Sequence, residues 1–455
     1  MKESLKTVAD WLQVEGQQIE GIMIYGVSID SRHISEGDLF IPFRGEQVNG
    51  HRYVESAIEK GAAASLWLKD EPNPPKNLPL LFVDDAELAL QQMARKYREE
   101  LTCKVIGITG SNGKTSTKDL VASVLSPYLK VKKTEGNFNN ELGLPLTILS
   151  LEKDTDVAVL EMGMSGFGEI SFLSTLAKPD FAVITNIGEA HMQDLGSRAG
   201  IAQAKFEIID GLHSVGKLFY DGDEPLLTPF VDGADVTTQS FGYSEMNDLA
   251  LQTVETTDAG SSFTLKGLLD GIFTIPVYGV HQVKNTLAAI LIAKELDLSN
   301  EQIREALQTT ELTAMRMQPV IGNNGALFIN DAYNAAPTSM KAALTFMKET
   351  ALREKKWVVL GDMLELGDES ADLHASLAAS LDPAIINELY LYGPEMKNLY
   401  DALVDKYPAE NLHYYPQDQM NHMIDDLKND IKPADIVMLK GSHGMHLEKV
   451  LDRLM

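Results

Sequence analysis

Residues 104–120 read KVIGITGSNGKTSTKDL, and this stretch decides the fold. Its opening, KVIGIT, is a β-branched run without polar alternation, which is typical of a strand buried on both faces of a parallel sheet. The apolar residues among positions 120–125 fall on one face of a helix. A glycine-rich loop ending in Lys114 and Thr115 joins the two elements, so the stretch predicts a strand, a phosphate-binding loop and a helix.

The loop has the chemistry of a phosphate site. Glycines let several backbone N–H groups point at phosphate oxygens, and the helix N-terminus adds about half a positive charge. Lys114 would neutralise the outer phosphates, and the Thr115 hydroxyl would bind Mg²⁺. The spacing TGxxGKT is shorter than GxxxxGK[ST]. A glycine-rich turn with an unrelated Lys-Thr pair is the alternative interpretation. The predicted nucleotide-binding residues of the loop are Gly110, Ser111, Asn112, Gly113, Lys114, Thr115 and Ser116.

Length and charge limit the possible partners. A chain of 455 residues predicts about three domains at roughly 150 residues each. The 39 Lys and Arg residues against 66 Asp and Glu residues give a formal net charge of −27 at pH 7. Such a field repels nucleic acids and anionic membranes, so phosphates would bind only at a local site that overrides the global charge.

Cysteine content and hydropathy predict the compartment. The single cysteine, Cys103, excludes an internal disulfide and a multi-cysteine metal site. The start MKESLKTVADWLQVEG lacks the apolar run of a signal peptide. The apolar run 287–293 is far shorter than the ~20 residues that span a membrane. We therefore expect a soluble, cytoplasmic protein without stable membrane insertion and without nucleic-acid partners.

Strand and helix patterns alternate along the chain and predict an α/β protein of three domains. Residues 1–100 predict a small α/β domain, residues 101–312 a central doubly wound parallel sheet that carries the phosphate loop, and residues 313–455 a Rossmann-like domain. Within the central domain, residues 237–280 combine short strands with glycine-rich turns, which predicts antiparallel pairing. Residues 285–296 predict a long helix.

Several polar residues fall where ligands of open α/β sheets bind, beyond the carboxyl ends of strands. Glu161 ends the strand pattern DVAVLE, and His191 follows the pattern FAVITNIG. A carboxylate and an imidazole beside a triphosphate suit divalent-metal binding. Lys205 lies in a predicted helix, and Arg316 and Asp331 open the third domain, where they would face the nucleotide. Taken singly, each has a plainer interpretation as a solvated strand end, a surface cation or a histidine without a role.

A series of motifs follows in order along nearly the whole chain. They are TGSNGKTST, TEGNFNNELGLP, LEMGM, TNIGEAHMQDLGS, AKFEI, GVHQVKNTLAA, MRMQ, DAYNAAPTSM and LKGSHGMHLE. In this order they resemble the Mur ligase family. The N-terminal block DSRHISEGDLFIPFRGEQVNGHRYVESAIEKGA and the block DAYNAAPTSM narrow the resemblance to members that add a dipeptide to a nucleotide-linked peptide.

The resemblance implies ATP-dependent amide ligation in peptidoglycan synthesis. A carboxylate of UDP-N-acetylmuramoyl-tripeptide attacks ATP to give an acyl phosphate, and the amine of D-Ala-D-Ala then displaces the phosphate. Since carboxylate and ATP are both anions, Lys114 and two Mg²⁺ ions must concentrate positive charge there. The resemblance assigns catalytic roles to Lys114, Lys205, His191 and Glu161. Thr115 and Glu161 would hold one metal ion, and His191 and a carbamylated Lys205 the other.

The resemblance also implies binding residues in all three domains. His281 and Asn285 would lie on the adenine side, and Arg316 and Asp331 would close on phosphate and ribose. The candidates for binding uridine and pyrophosphate are Ser31, Arg32, Arg44, Asn49 and His51. The candidates for the peptide are Asn137, Asn139 and Asn140, with Asn334 on the D-Ala-D-Ala side. We expect a monomer whose third domain swings in to close the site.

Three other functions stay open at this stage. Another amide ligase on the same scaffold, such as a folate polyglutamate or cyanophycin-type enzyme, is disfavoured by the N-terminal block, since the folate enzymes lack that first domain. A non-enzymatic nucleotide-binding module would need the phosphate loop but not Glu161, His191 and Lys205 together. A P-loop kinase or GTPase is disfavoured by the short loop spacing and by the block DAYN.

Overall fold

The computed structural model describes residues 1–45, 48–189 and 192–455. Strands and helices alternate along these residues, and parallel pairing predominates in the larger sheets, so the predicted α/β class is confirmed. Among the helices of the described residues, none is long and apolar enough to cross a membrane.

The N-terminal region is a small, mostly parallel sheet with helices. Its elements are the strands β1 (Glu3–Ser4), β2 (Gly16–Gln17), β3 (Met23–Ile24), β4 (Gly26–Ser28), β5 (Asp38–Phe40), β6 (Ala64–Leu68) and β7 (Leu80–Val83) and the helices α1 (Leu5–Leu12), α2 (Val54–Glu59) and α3 (Ala86–Glu100). Strands β1 and β3 form a separate antiparallel pair. The main sheet has the order β2-β7-β6-β5-β4, in which β2 is antiparallel to β7 and the other neighbours are parallel. The carboxyl ends of β4, β5 and β6 therefore share one edge.

The central region carries the phosphate loop on its largest sheet. Its strands are β8 (Lys104–Thr109), β9 (Val131–Lys133), β10 (Val157–Glu161), β11 (Phe181–Ile184), β12 (Lys217–Asp221), β13 (Thr237–Gly242), β14 (Leu249–Thr257), β15 (Gly260–Gly267) and β16 (Gly271–Ile275). Its helices are α4 (Lys114–Leu125), α5 (Gly143–Ser150), α6 (Glu169–Ala177), α7 (Met192–Leu195), α8 (Arg198–Phe206), α9 (Thr228–Asp232), α10 (Val280–Glu295) and α11 (Asn300–Gln308). The strand order is β16-β15-β14-β13-β12-β11-β8-β10-β9.

Strand β8 is covered on both faces, as its sequence predicts. Val105 belongs to the apolar core that includes α3 and α5, whereas Ile106 and Ile108 pack in the core on the opposite face with α4 and α10. The first of these cores also joins the N-terminal region to the central one, since it contains residues of both. In addition, Tyr97 on α3 donates a hydrogen bond from its hydroxyl to the carbonyl of Leu151 at 2.8 Å.

Two sequence predictions for the central region need correction. Antiparallel pairing over residues 237–280 is wrong for β13, which runs parallel to both β12 and β14, and right for β14, β15 and β16. The buried Phe241 of β13 joins the same core as the inner parallel strands, so this strand extends the parallel sheet. Helix α10 begins at Val280 rather than at position 285. The apolar pattern missed the first turn, because that turn carries polar residues that line the site described below.

The C-terminal region is a second α/β unit. Its elements are the strands β17 (Gln318–Ile321), β18 (Leu327–Asn330), β19 (Lys355–Gly361), β20 (Glu388–Tyr392), β21 (Leu412–Tyr415) and β22 (Asp435–Lys440) and the helices α12 (Pro337–Glu349), α13 (Ser370–Ser376), α14 (Met396–Leu403), α15 (Met420–Asp430) and α16 (Glu448–Leu454). The strand order is β17-β18-β22-β19-β20-β21, parallel except for β17. Separate apolar cores cover its two faces.

Candidate functional site

The loop between β8 and α4 is fixed by the neighbouring strand. The backbone N–H of Ser111 donates to the Asn186 carbonyl at 3.1 Å, and that of Asn112 donates to Asn186 Oδ1 at 2.9 Å. Thr185 Oγ1 donates to the Asn112 carbonyl at 2.6 Å. Both partner residues directly follow β11, which pairs in parallel with β8. The sheet itself therefore sets the shape of the loop.

Two positions of the loop require glycine. Gly110 has φ of 151°, and a Cβ atom there would lie 1.8 Å from Thr185 Oγ1. Gly113 has φ of 81°, and a Cβ atom there would lie 2.8 Å from Asn285 Nδ2. Both glycines have a positive φ, which other residues adopt only with strain, and neither position leaves room for a Cβ atom. Asn285, predicted on the nucleotide side, thus lies directly against the loop.

Lys114 opens helix α4 and turns back onto the loop. Its Nζ donates to the Gly110 carbonyl at 2.9 Å. Burial lowers the pKa of Lys114, the Glu161 carboxylate opposes that shift, and Arg316 adds to it. Thr115 and Ser116 follow on the helix and are buried. Lys114 therefore places a cation beside Glu161 at the N-terminus of a helix, where anions bind.

Glu161 ends β10 with one carboxylate oxygen satisfied and one not. Its Oε1 accepts a hydrogen bond from Asn139 Nδ2 at 2.8 Å, and its backbone N–H donates to Thr134 Oγ1 at 3.0 Å. The residue is 3% exposed, and its Oε2 has no hydrogen-bond partner among the described residues. A buried carboxylate oxygen without a partner is costly, and a cation at that position would satisfy it.

Lys205 lies on α8 and is 2% exposed. Burial lowers the pKa of Lys205 well below its usual value, and the charge on Lys114 adds to the lowering. No carboxylate of the described residues forms an ion pair with Lys205. Burial and the neighbouring cation therefore disfavour the charged form of this amine. His191, predicted beside it, lies outside the described residues.

The third domain supplies the opposite wall of the nucleotide site. Arg316 Nη2 lies 3.4 Å from Thr115 Oγ1, and the guanidinium lies over the ring of Tyr333, 4.2 Å from its centroid. The two residues flanking Arg316, Met315 and Met317, have φ of 64° and 50°, conformations that non-glycine residues seldom adopt. Arg316 thus meets the phosphate loop, as predicted, from a strained segment.

Asp331 is bonded within its own domain. Its Oδ1 accepts a hydrogen bond from the Met317 backbone, and its Oδ2 lies 2.7 Å from the buried Nζ of Lys440. The same Nζ donates to the Asn334 carbonyl at 3.0 Å. Asn334, predicted on the D-Ala-D-Ala side, lines the same cavity as Asp331.

These groups enclose a cavity of about 160 Å³ between the central and third domains. His281 lines it, and burial lowers the pKa of His281, which favours the neutral imidazole. The residues around the cavity include Asn112, Gly113, Ser116, His281, Asn285, Arg316, Asp331, Asn334, Thr338 and Lys440. The structure thus brings the predicted adenine-side and third-domain residues together.

A second, larger cavity of about 900 Å³ has Lys114 in its lining. Asn137, Asn139 and Asn140 line it, together with Glu365 of the third domain. Asn139 also bonds Glu161, and Asn140 Oδ1 accepts from the Gly143 backbone at the start of α5. The three asparagines thus adjoin the phosphate loop, and Asn140 has a structural role as well.

The N-terminal candidates fall into two groups at the shared strand edge. Arg44 pairs with Asp70 at 2.8 Å and with Glu71 at 2.7 Å, and both carboxylates raise the pKa of Arg44. Asn49 Nδ2 donates to the same Glu71 carboxylate. Ser31 and Arg32 belong to the turn after β4. Arg32 is paired there with Asp30 at 2.7 Å, and Lys60 Nζ donates to the Ser31 carbonyl.

His51 is buried, and its hydrogen bonds define its tautomer. Its Nε2 accepts from the Leu68 backbone N–H at 3.2 Å, so Nε2 carries no proton. Its Nδ1 then donates to Asn49 Oδ1 at 2.8 Å. Burial lowers the pKa of His51, in agreement with a neutral ring. His51 therefore offers no positive charge to a pyrophosphate and instead orders the Asn49 loop.

Three family models match the chain in order. They are "Mur ligase family, catalytic domain" at residues 23–98, "Mur ligase middle domain" at 108–293 and "Mur ligase, glutamate ligase domain" at 315–443. The UDP-N-acetylmuramoyl-tripeptide–D-alanyl-D-alanine ligase of Bacillus subtilis (strain 168) is 43% identical over 456 residues, covering 100% of this chain and 98% of the relative. The chain belongs to the Mur ligase family.

Solved structures agree with this assignment. A crystal structure of MurF from Acinetobacter baumannii matches this Mur ligase with a TM-score of 0.89 and 29% identity, covering 100% of this chain and 99% of that one. MurF ligase from Thermotoga maritima in complex with ADP matches with a TM-score of 0.83 and 27% identity, covering 94% and 96%. The predicted three-domain α/β architecture is confirmed.

Several residues of this Mur ligase site were not predicted from the sequence. Lys440 lies in the motif LKGSHGMHLE, which the family resemblance includes but which received no role. Asn186, in TNIGEAHMQDLGS, fixes the phosphate loop and was likewise passed over. Thr338 Oγ1 donates to the Glu189 carboxylate across the two domains. No local pattern identifies that pair, because its members are 149 positions apart.

Proposed function

We propose that this Mur ligase joins D-Ala-D-Ala to UDP-N-acetylmuramoyl-tripeptide, using ATP, to give the UDP-muramoyl-pentapeptide of peptidoglycan synthesis. The observation that carries the proposal is the 43% identity over the whole chain to a relative whose name states both substrates. The enzyme is an ATP-dependent carbon–nitrogen ligase. The ADP complex of the Thermotoga maritima relative supports the use of ATP.

The residues around Lys114 suit the first step. A carboxylate oxygen of the tripeptide attacks the γ-phosphorus of ATP, an acyl phosphate forms and ADP leaves. Two anions must approach each other, so the Lys114 ammonium, the loop N–H groups and the helix N-terminus lower the repulsion. Lys114 lines the cavity with Asn137 and Asn139, which would place the tripeptide carboxylate beside the phosphate. The amine of D-Ala-D-Ala then attacks the acyl carbon, and phosphate leaves.

We further propose that the site holds two Mg²⁺ ions. The fit rests on Glu161, whose buried Oε2 lacks a partner among the described residues. Thr115 and Glu161 would hold one ion, and His191 and Lys205 the other. When bound, the ions supply positive charge to the ATP phosphates and to the attacking carboxylate.

The surroundings of Lys205 support the proposal that it is carbamylated. A lysine ammonium would repel Mg²⁺, whereas a carbamate is an anion. Only an uncharged amine attacks CO₂, and burial with Lys114 nearby favours the uncharged form of Lys205. The modification would thus turn a buried amine with no carboxylate partner among the described residues into a metal-supporting group.

The remaining substrate contacts are proposed for the outer domains. Arg316 and Asp331 would bind phosphate and ribose, and His281 and Asn285 the adenine side. The N-terminal domain would bind uridine and pyrophosphate through Ser31, Arg32, Arg44 and Asn49, with His51 holding Asn49 in place. Arg44 must then exchange part of its pairing with Asp70 and Glu71 for the ligand. Asn334 would contact D-Ala-D-Ala from the nucleotide cavity.

We assign domain boundaries at residues 100/101 and 312/313, and we propose that the enzyme acts as a monomer in the cytoplasm. The boundaries fall after α3 and within the segment between α11 and β17. A cytoplasmic location fits the free, buried thiol of Cys103, since a reducing compartment keeps thiols unpaired.

The decisive experiment is ATP-dependent phosphate release with UDP-N-acetylmuramoyl-tripeptide and D-Ala-D-Ala, each omitted in turn. The expected result is release that requires both substrates, with a pentapeptide product by mass. Release with a different amine would keep the family and reject the dipeptide. Absence of release with every amine tested would favour a nucleotide-binding module.

A further inference from the structure

Asp119 lies in the second turn of α4, the helix that carries the phosphate loop residues Lys114 and Thr115. Its side chain is fully buried. Its Oδ2 accepts two hydrogen bonds from Thr313, one from the backbone N–H at 2.9 Å and one from the hydroxyl at 2.5 Å. Thr313 and Arg316 both belong to the segment between α11 and β17, here called the linker, which contains the assigned domain boundary at 312/313. One carboxylate therefore joins the nucleotide-binding helix to this linker.

The charge of Asp119 is compensated where it lies. Its Oδ1 is 2.7 Å from Lys133 Nζ and 3.7 Å from the buried Nζ of Lys118. Burial alone would raise the pKa of Asp119, but Lys118, Lys133 and Thr313 together hold it below its usual range. The carboxylate is therefore ionised at neutral pH and accepts strong, charge-assisted hydrogen bonds from Thr313.

The same helix face meets the linker twice. Thr115 and Asp119 are four residues apart and therefore neighbours on α4. Thr115 contacts Arg316, and Asp119 contacts Thr313 three residues earlier in the linker. Between these contacts the backbone is strained at Met315, and the strain continues at Met317. Such conformations persist only where the surroundings hold them.

We propose that Asp119 is a positioning residue, which fixes the start of the linker on α4 and thereby sets Arg316 against the phosphate loop. The inference rests on the proposed function only in that Arg316 acts on the nucleotide phosphates. Asp119 acts through Arg316 rather than on a substrate, because it attaches the start of the third domain to the nucleotide-binding helix.

The test is a double-mutant cycle with Asp119→Ala and Arg316→Ala. Asp119→Ala is expected to lower kcat and ADP affinity by about tenfold, because it removes hydrogen bonds to a charged group. In the Arg316→Ala background the same change is expected to cost less than about twofold, since the two residues act as a unit. Asp154→Ala, which removes an exposed partner of Lys130, is the matched control and should leave both quantities unchanged.

Two further measurements keep the test decisive. Hydrogen exchange at the Thr313 amide should be faster in Asp119→Ala. If that variant does not fold, Thr313→Val removes one of the two hydrogen bonds and should give a smaller, equally non-additive loss. The ADP cycle needs no acceptor substrate, so it decides this inference even if the proposed reaction fails. The positioning role would be overturned if the fold losses of the two single variants multiplied in the double variant, since the residues would then act independently. An unchanged ADP affinity in Asp119→Ala would overturn it as well.

Discussion

Lys440 Nζ lies 2.7 Å from Asp331 Oδ2 in the wall of the nucleotide cavity, and both side chains are nearly fully buried. The pair links the end of β22 to the residue after β18, and these are adjacent parallel strands. Arg316 and Asp331 are the residues expected to close on phosphate and ribose. The ion pair means that Lys440 positions the Asp331 carboxylate and adds a cation to the wall of the cavity.

Lys440→Met should destabilise the third domain by about 3–5 kcal/mol, because it leaves the Asp331 carboxylate buried without its partner. The double variant Lys440→Met with Asp331→Asn should recover much of that loss, since no unpaired charge remains. Urea unfolding of the three proteins measures both effects. Equal destabilisation in the single and double variants would show that the ion pair is not the cause.

The sequence predicted the parts of this enzyme that are encoded locally. Strand β8, the phosphate loop and α4 are contiguous, and their local pattern predicts the presence of each. Glu161 ends its strand as predicted, because β10 is a short apolar run that pairs directly with β8. Parallel strands bring such ends to one edge, so the site could be assembled in outline from the sequence.

Contacts between distant segments could not be predicted in the same way. The pairing of Arg44 with Asp70 and Glu71 depends on the order of β5 and β6, and it changes a free cation into a compensated one. The parallel direction of β13 was missed, because short strands separated by glycines resemble hairpins. In both cases tertiary packing overrides the local pattern.

Gly110→Ala should abolish nucleotide binding. A Cβ atom at Gly110 would lie 1.8 Å from Thr185 Oγ1, and Thr185 itself bonds the loop. The matched control is Gly168→Ala, a position with φ of 83° and no atom within 4 Å of the added Cβ. The control should cost only about 1–2 kcal/mol of backbone strain. Calorimetric ADP titration and thermal unfolding separate the two, and equal losses would argue against a steric role for Thr185.

The free energy of unfolding should decrease as the pH is lowered, because His51 is held neutral in the folded protein. The folded pKa is lowered, so between that value and 6.5 the unfolded chain binds a proton that the folded chain does not. Unfolding free energy should therefore drop as pH falls through this window, by at most about 1.4 kcal/mol per pH unit. His51→Gln should remove this part of the pH dependence, whereas His33→Gln, at an exposed ring, should keep it. Parallel curves for wild type and His51→Gln would contradict the neutral tautomer.

Lys205→Ala should reduce turnover by about 100-fold or more while ADP binding persists, since the residue acts on the reacting groups after binding. Acetate or formate should restore part of the activity, because a small carboxylate can occupy the place of the carbamate. Lys266→Ala, at an exposed lysine, is the control and should need no rescue. Near-normal turnover in Lys205→Ala would remove it from the site, and loss without any rescue would count against carbamylation.

The third domain should move during the cycle. The nucleotide cavity holds about 160 Å³, whereas ligand pockets usually hold about 300–1,000 Å³. We therefore expect the free enzyme to populate a wider cleft that admits ATP, and this closed arrangement to be favoured once the ligands are bound. Thr338 and Glu189 bond across it. Thr338→Val should favour the open arrangement, with a larger radius of gyration by small-angle scattering and a KM for ATP raised about threefold.

Thr345→Val gives the matched control, because Thr345 lies on the same helix and bonds only the carbonyl of Lys341 within it. Wild type and both variants should compact when an ATP analogue and the nucleotide peptide are added together, since the ligands favour the closed arrangement. An unchanged scattering profile in wild type would argue against closure. Identical behaviour of Thr338→Val and Thr345→Val would instead show that the contact with Glu189 does not hold the domains together.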